Sequence, residues 1–136
     1  MEMNELITLI KKLMKNMGLN ESSCLVYAVL SVSEKPLCIR EISAKTGYSI
    51  TMVYSSIKDL MENNLVERIR MGKRILYTAN INFIDVFERR RKKLMDEFIL
   101  PISNIDINKY SKNQRIKEIK EYAKNVYDYF KKNYTK

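Results

Sequence analysis

The chain is 136 residues long, 46% hydrophobic and 30% charged, with three Gly and two Pro, a balance that excludes a disordered polymer and suits one folded, helix-rich domain with an extension. Lys and Arg outnumber Asp and Glu by 25 to 16, a formal +9 that favours anionic partners such as nucleic acid. There is no His, and Cys24 and Cys38 stand apart, so neither metal nor cofactor is expected and both thiols are read as free in a reducing cytosol.

The first segment, "MEMNELITLIKKLMKNMG", has acids early and lysines inside its apolar run. It is too interrupted to span a bilayer and unlike a signal peptide, so the expectation is a cytoplasmic protein without a membrane partner. Leu6, Ile10, Leu13 and Met17 recur at helical spacing, and Gly18 is placed to end that helix. Asn20 offers an N-cap to "ESSCLVYAVLSV", a second helix with a broad apolar face. "LCI" at 37–39 reads as a small strand, and "REISAKTG" as a short helix stopped by Gly47. Ser49 can cap a fourth helix, with Val53, Ile57 and Leu60 on one face and Thr51, Ser55 and Lys58 on the other.

The period then changes. "LVERIR" and "RILYTA" alternate and are rich in β-formers, and "MGKR" between them holds the Gly that a hairpin loop needs. From Phe83 the helical rhythm returns in Ile84, Phe87, Leu94 and Phe98, with Arg91 interrupting the seam and Pro101 expected to end the helix. A last helix carries Ile116, Ile119, Ala123, Val126 and Phe130 at 3,4,3,4 spacing, a narrow apolar stripe that wants a partner helix. The positive charge is localised: residues 37–79 hold seven basic against four acidic residues, and residues 108–136 nine against three, whereas the other two segments are neutral. For the final helix three roles stay open: flanking DNA, meeting an acidic partner, or keeping the protein soluble.

The chain has no His, no Gly-rich phosphate loop and no carboxylate pair in a special local context, so the sequence points away from an enzyme. What stands out is the order helix, short strand, helix, turn, helix, basic hairpin, which matches a winged helix-turn-helix. The expected fold class is mainly α with a small β-hairpin: a winged helix over 1–81, followed by a helical dimerisation extension over 82–136.

The run "LMKNMGLNESSCLVYAVLSVSEKPLCIREISAKTGYSITMVYSSIKDLMENNLVERI", with "KRILYTA" after it, resembles the DNA-binding module of TrmB-like archaeal transcription regulators, with MarR-like regulators close behind. The resemblance covers about residues 13–80. It implies a sequence-specific DNA-binding regulator whose partner is double-stranded DNA. Where the family has "KGLV" this chain has "NNLV", so Asn64 must supply the left-handed turn. Family members often carry a large sugar-reading domain; some fifty residues follow the wing here, so sugar sensing is not carried over and the effector ligand is left unknown.

By the resemblance, the DNA-reading positions fall on Ser49, Thr51, Met52, Ser55 and Lys58, with Tyr54 beside them. Residues 46–58 contain no acid, which suits an approach to phosphates. Arg68, Arg70, Lys73 and Arg74 surround Gly72 and can reach phosphate or the minor groove. The bland readings are that Met52 and Tyr54 complete the core or surface, and that the wing charges only protect a sheet edge. Dimerisation is assigned to Ile84, Phe87, Leu94, Phe98, Ile116, Ile119, Ala123, Val126 and Phe130, with part of residues 4–17. The competing function is a winged-helix module that docks on protein rather than DNA.

Overall fold

A computed structural model describes residues 3–110 and 113–134. Four helices come first: α1 (Met3–Asn16), α2 (Glu21–Ser31), α3 (Ile39–Thr46) and α4 (Ile50–Glu62). The hairpin strands β1 (Val66–Met71) and β2 (Arg74–Ala79) follow, then α5 (Phe83–Lys93), a π-helical turn (Leu94–Ile99), α6 (Leu100–Ser103), a 3₁₀ turn (Ile107–Tyr110) and α7 (Gln114–Tyr134). The described residues fall into two compact units that divide between Val86 and Phe87, inside α5. No helix among them is long and apolar enough to cross a membrane.

The first unit is a winged helix built around α2. Cys24, Val26, Tyr27, Ala28, Val29 and Leu30 are all buried, as expected of a helix covered on every side, and α1, α3, α4 and β2 pack around it. Its start is set by Asn20, whose side chain accepts from the Ser23 amide at 2.9 Å. From α4 come Val53, Ile57 and Leu60, each of which stabilises the unit by roughly 1.5–3 kcal/mol through burial. A part-buried polar clip adds direction: Ser23 Oγ donates to Asp59 Oδ2 at 2.7 Å, tying α2 to α4.

The expected strand at 37–39 is a single residue. Leu37 exchanges both backbone hydrogen bonds with Tyr77, at 2.9 and 2.8 Å, and the chain then turns into α3. The cause is local: the Glu41 carboxylate accepts from the Cys38 amide at 3.0 Å, which satisfies a helix-start donor and ends any ladder. Gly47, at φ 79, closes α3, and Asn64, at φ 60, makes the left-handed turn between α4 and β1 as its position requires.

The second expectation to be corrected concerns Pro101. The helix begun at Phe83 does not end there; it widens into the π-helical turn, where the Leu100 amide reaches the Met95 carbonyl, and runs on through α6 to Ser103. Proline lacks an amide and crowds the carbonyl four residues back, and a widened turn relieves both at once. In this second unit α7 packs against α6 and the π turn, burying Ala123. Lys120 Nζ donates to the Ile105 carbonyl at 2.7 Å. Arg91, which interrupts an apolar seam, is satisfied locally by Glu88, one carboxylate oxygen accepting from Nη2 at 2.7 Å and from Nε at 3.1 Å.

Candidate nucleic-acid interface

The outward face of α4 is built by its own cap and spacing. Ser49 adopts an extended conformation and its hydroxyl oxygen accepts from the Met52 amide at 3.1 Å, which fixes the first turn. With Val53, Ser56, Ile57 and Leu60 inward, the 3.6-residue repeat leaves Thr51, Met52, Tyr54, Ser55 and Lys58 exposed. Neither Met52 nor Tyr54 completes the core, Tyr54 being 57% exposed.

The wing is an antiparallel pair in the register Val66↔Ala79 to Met71↔Arg74. Its two-residue loop has Gly72 at the first central position with φ 63, where a side chain would be strained even though no atom crowds the site. Arg68 lies opposite Tyr77 and Arg70 opposite Ile75, so both arginines share one sheet face with Tyr77. That face turns toward α4: Tyr54, Lys58, Arg68 and Tyr77 line one open groove of about 430 Å³. Ile57, which is buried, and the exposed Met61 and Glu62 line it too.

Among the described residues neither Lys58 nor Arg68 forms an ion pair, so both cations are available to an anion entering from solvent. Burial pushes the Tyr77 phenol above its ordinary value; neighbouring Tyr54 adds to that shift and Arg68 opposes it. Tyr77 therefore remains a neutral hydroxyl.

Not all the wing cations stand together. Lys73 is exposed at the tip, whereas Arg74 lies on the opposite sheet face from Arg68 and Arg70 and pairs with Glu41 of α3 at 3.3 Å. That pair ties the wing back to the helix-turn-helix. The Cys38 amide holds the Glu41 carboxyl below the usual carboxylate range, and Arg74 contributes to the same shift. Sequence reasoning did not single out Tyr77, Glu41, Ser23 or Asp59. The only signal for Tyr77 was its position directly across from Arg68 in an alternating run.

The residues assigned to dimerisation divide. Ile84, Phe87, Leu94, Phe98, Ile119 and Val126 are exposed, with Ile84 at 78%. Ile116 and Phe130 are half-buried, and Ala123 belongs to the seam that α7 makes inside its own chain. Tyr122 and Tyr129, not included in the stripe read from the sequence, are exposed and fall on the same side of α7 as Ile119 and Val126.

A solved structure described as a transcriptional regulator superposes with a TM-score of 0.70, covering 96% of this chain and 93% of its own at 12% identity, which shows a shared fold. No curated protein matches the sequence. The model of the family described as "Sugar-specific transcriptional regulator TrmB" matches residues 13–81, the helix-turn-helix and wing built above, and the chain belongs to that family of transcriptional regulators.

Proposed function

We propose that the protein is a homodimeric, sequence-specific DNA-binding regulator that inserts α4 into the major groove and lays its wing on phosphate or the minor groove. The observation that carries this reading is the common groove: Tyr54 and Lys58 of α4 and Arg68 of β1 open on one side, so helix and wing can meet one duplex together. The exposed face of α4 carries no acid until Asp59, which the Ser23 hydroxyl engages, and Glu62 in the last turn. Thr51, Met52 and Ser55 are the side chains placed to read base edges; Lys58, Arg68, Arg70 and Lys73 are placed for phosphate. Arg74 acts by holding the wing against α3.

Two copies serve the same end. Recognition helices about 34 Å apart address successive major-groove faces, so a two-fold dimer reads a palindromic operator. The seam proposed for it uses the exposed side of α7, Ile119, Tyr122, Val126 and Tyr129 at 3,4,3 spacing, together with exposed apolar residues of α5 and α1. The test is fluorescence anisotropy of the full chain against random and genome-selected duplexes across a salt series. Tight, salt-sensitive binding with preference for a palindrome is expected. Equal indifference to all duplexes at low salt would instead favour the protein-docking module.

A further inference from the structure

The outward face of α4 lacks the side chains that identify bases by paired hydrogen bonds. In the major groove guanine is recognised by Arg or Lys, adenine by Asn or Gln, and cytosine by Asp or Glu. From Ile50 to Ile57 the helix contains none of these. What it presents instead is apolar: Ile50, Met52 and Tyr54, three large side chains within five consecutive residues, are 42%, 44% and 57% exposed. Thr51, also exposed, adds a methyl group beside its hydroxyl. Val53, in the middle of the same run, is fully buried, so the exposure of its neighbours follows from the helical repeat and not from a loosely packed helix. An apolar, acid-free face beside a basic wing suits a target that is anionic along its backbone and apolar at chosen points between. Duplex DNA has one such point, because thymine alone among its bases carries a 5-methyl group into the major groove.

We propose that the protein selects its sites chiefly through thymine 5-methyl groups, which Ile50, Thr51, Met52 and Tyr54 cover in the major groove, so that its preferred half-sites hold thymines at fixed positions. The inference rests on the DNA-binding reading above and names the feature of the duplex that is read. Helical spacing divides the work. Thr51 and Ser55 lie at the centre of the outward face and Met52 on one flank. Ile50 and Tyr54, four residues apart, lie on the other flank, where Tyr54 joins Arg68 of the wing in lining the groove. These side chains therefore meet different methyls along the duplex. The hydroxyls of Thr51 and Ser55 both donate and accept, tolerate several bases and add little discrimination of their own. Lys58 stays on phosphate.

The experiment replaces thymine by uracil, which removes the 5-methyl group and leaves base pairing and every phosphate in place. A duplex selected by the full chain from a random library is resynthesised with deoxyuridine at one thymine position in each half-site, the positions taken in turn, and affinity is read by fluorescence anisotropy. Covering one methyl contributes about fourfold in affinity, so uracil at a contacted position in both half-sites should weaken binding about fifteenfold. The dependence on salt should not change, because the phosphates are untouched. I50A, T51S and M52A should each weaken binding to the thymine duplex and abolish the uracil penalty at the position that side chain covers. T51S keeps the hydroxyl and removes the methyl alone. Circular dichroism verifies that each variant folds; all three positions are exposed, so the fold should survive.

Selected half-sites that share no thymine, uracil duplexes bound as tightly as the thymine duplex, or a uracil penalty that all three variants leave intact would each overturn the proposal. In the last case the methyl would act through the shape of the duplex rather than through contact. Any of these results, obtained with a chain that binds its selected duplex tightly, refutes methyl recognition and upholds the regulator reading. A chain that enriches no duplex from the library refutes both.

Discussion

Charging the exposed side of α7 should convert the protein to monomers. Ile119 and Val126 are 53% and 37% exposed in the single chain, and they flank Ala123, which is buried where α7 packs on α6 and the π turn. Full burial of such a side chain is worth about 1.5–3 kcal/mol, so covering the exposed fractions gains about 2 kcal/mol for the pair. A two-fold seam counts each twice, about 4 kcal/mol, or roughly a thousandfold in the dimer dissociation constant. I119D with V126D removes that gain and adds the cost of desolvating carboxylates. Size-exclusion chromatography with light scattering at micromolar concentration should show about 16 kDa for the variant and twice that for the parent. Retained helicity by circular dichroism would show that the inner face of α7 is still packed. A variant that remains dimeric at the same concentration would refute this seam.

Other expectations concern the winged-helix unit. At φ 60, Asn64→Gly should leave stability within a few tenths of a kcal/mol, whereas Asn64→Val should cost about 1–2 kcal/mol by urea unfolding; equal effects would mean that the turn relaxes. Ser56 Oγ is buried without a hydrogen-bond partner among the described residues, so Ser56→Ala should be neutral or stabilise by up to about 1 kcal/mol, and a clear loss in thermal unfolding would contradict that. The Glu41 carboxyl is held low by the Cys38 amide, so its contribution is present above the unfolded pKa and is lost as pH falls through the lower folded value. The Cys38 amide shift followed by NMR should titrate below the ordinary glutamate range, and should not titrate there in E41Q. A midpoint in the ordinary range would contradict the Glu41–Cys38 bond that starts α3.

Much of the winged helix was legible because its signals are local. Asn20 and Ser49 cap where hydroxyl and amide side chains should, and Gly47, Asn64 and Gly72 occupy the left-handed positions that their chemistry permits. The alternating runs predicted the hairpin to within a residue. What the sequence concealed depends on neighbours distant in the chain. Arg74 looked equivalent to Arg68, yet strand alternation sends it to the other face, where Glu41, thirty-three positions away, claims it. Pro101 reads as a helix end by its own stereochemistry, and only the preceding turn's freedom to widen lets the helix pass. The apolar stripe on α7 was visible, but periodicity cannot say which flank its own chain covers. Ala123 went inward, and Tyr122 and Tyr129 joined Ile119 and Val126 outside.

On the proposed reading α4 and the wing meet one duplex together, with Arg68, Arg70 and Lys73 neutralising phosphate. The most direct measurement is the slope of log affinity against log salt for the parent chain and for the triple alanine variant at those three positions. Each phosphate contact contributes about 0.9 to the slope, so three contacts on each of two half-sites predict a slope shallower by about 5. Site preference should survive, because Thr51, Met52 and Ser55 are untouched. An unchanged slope would contradict the account, since the wing would then lie off the duplex.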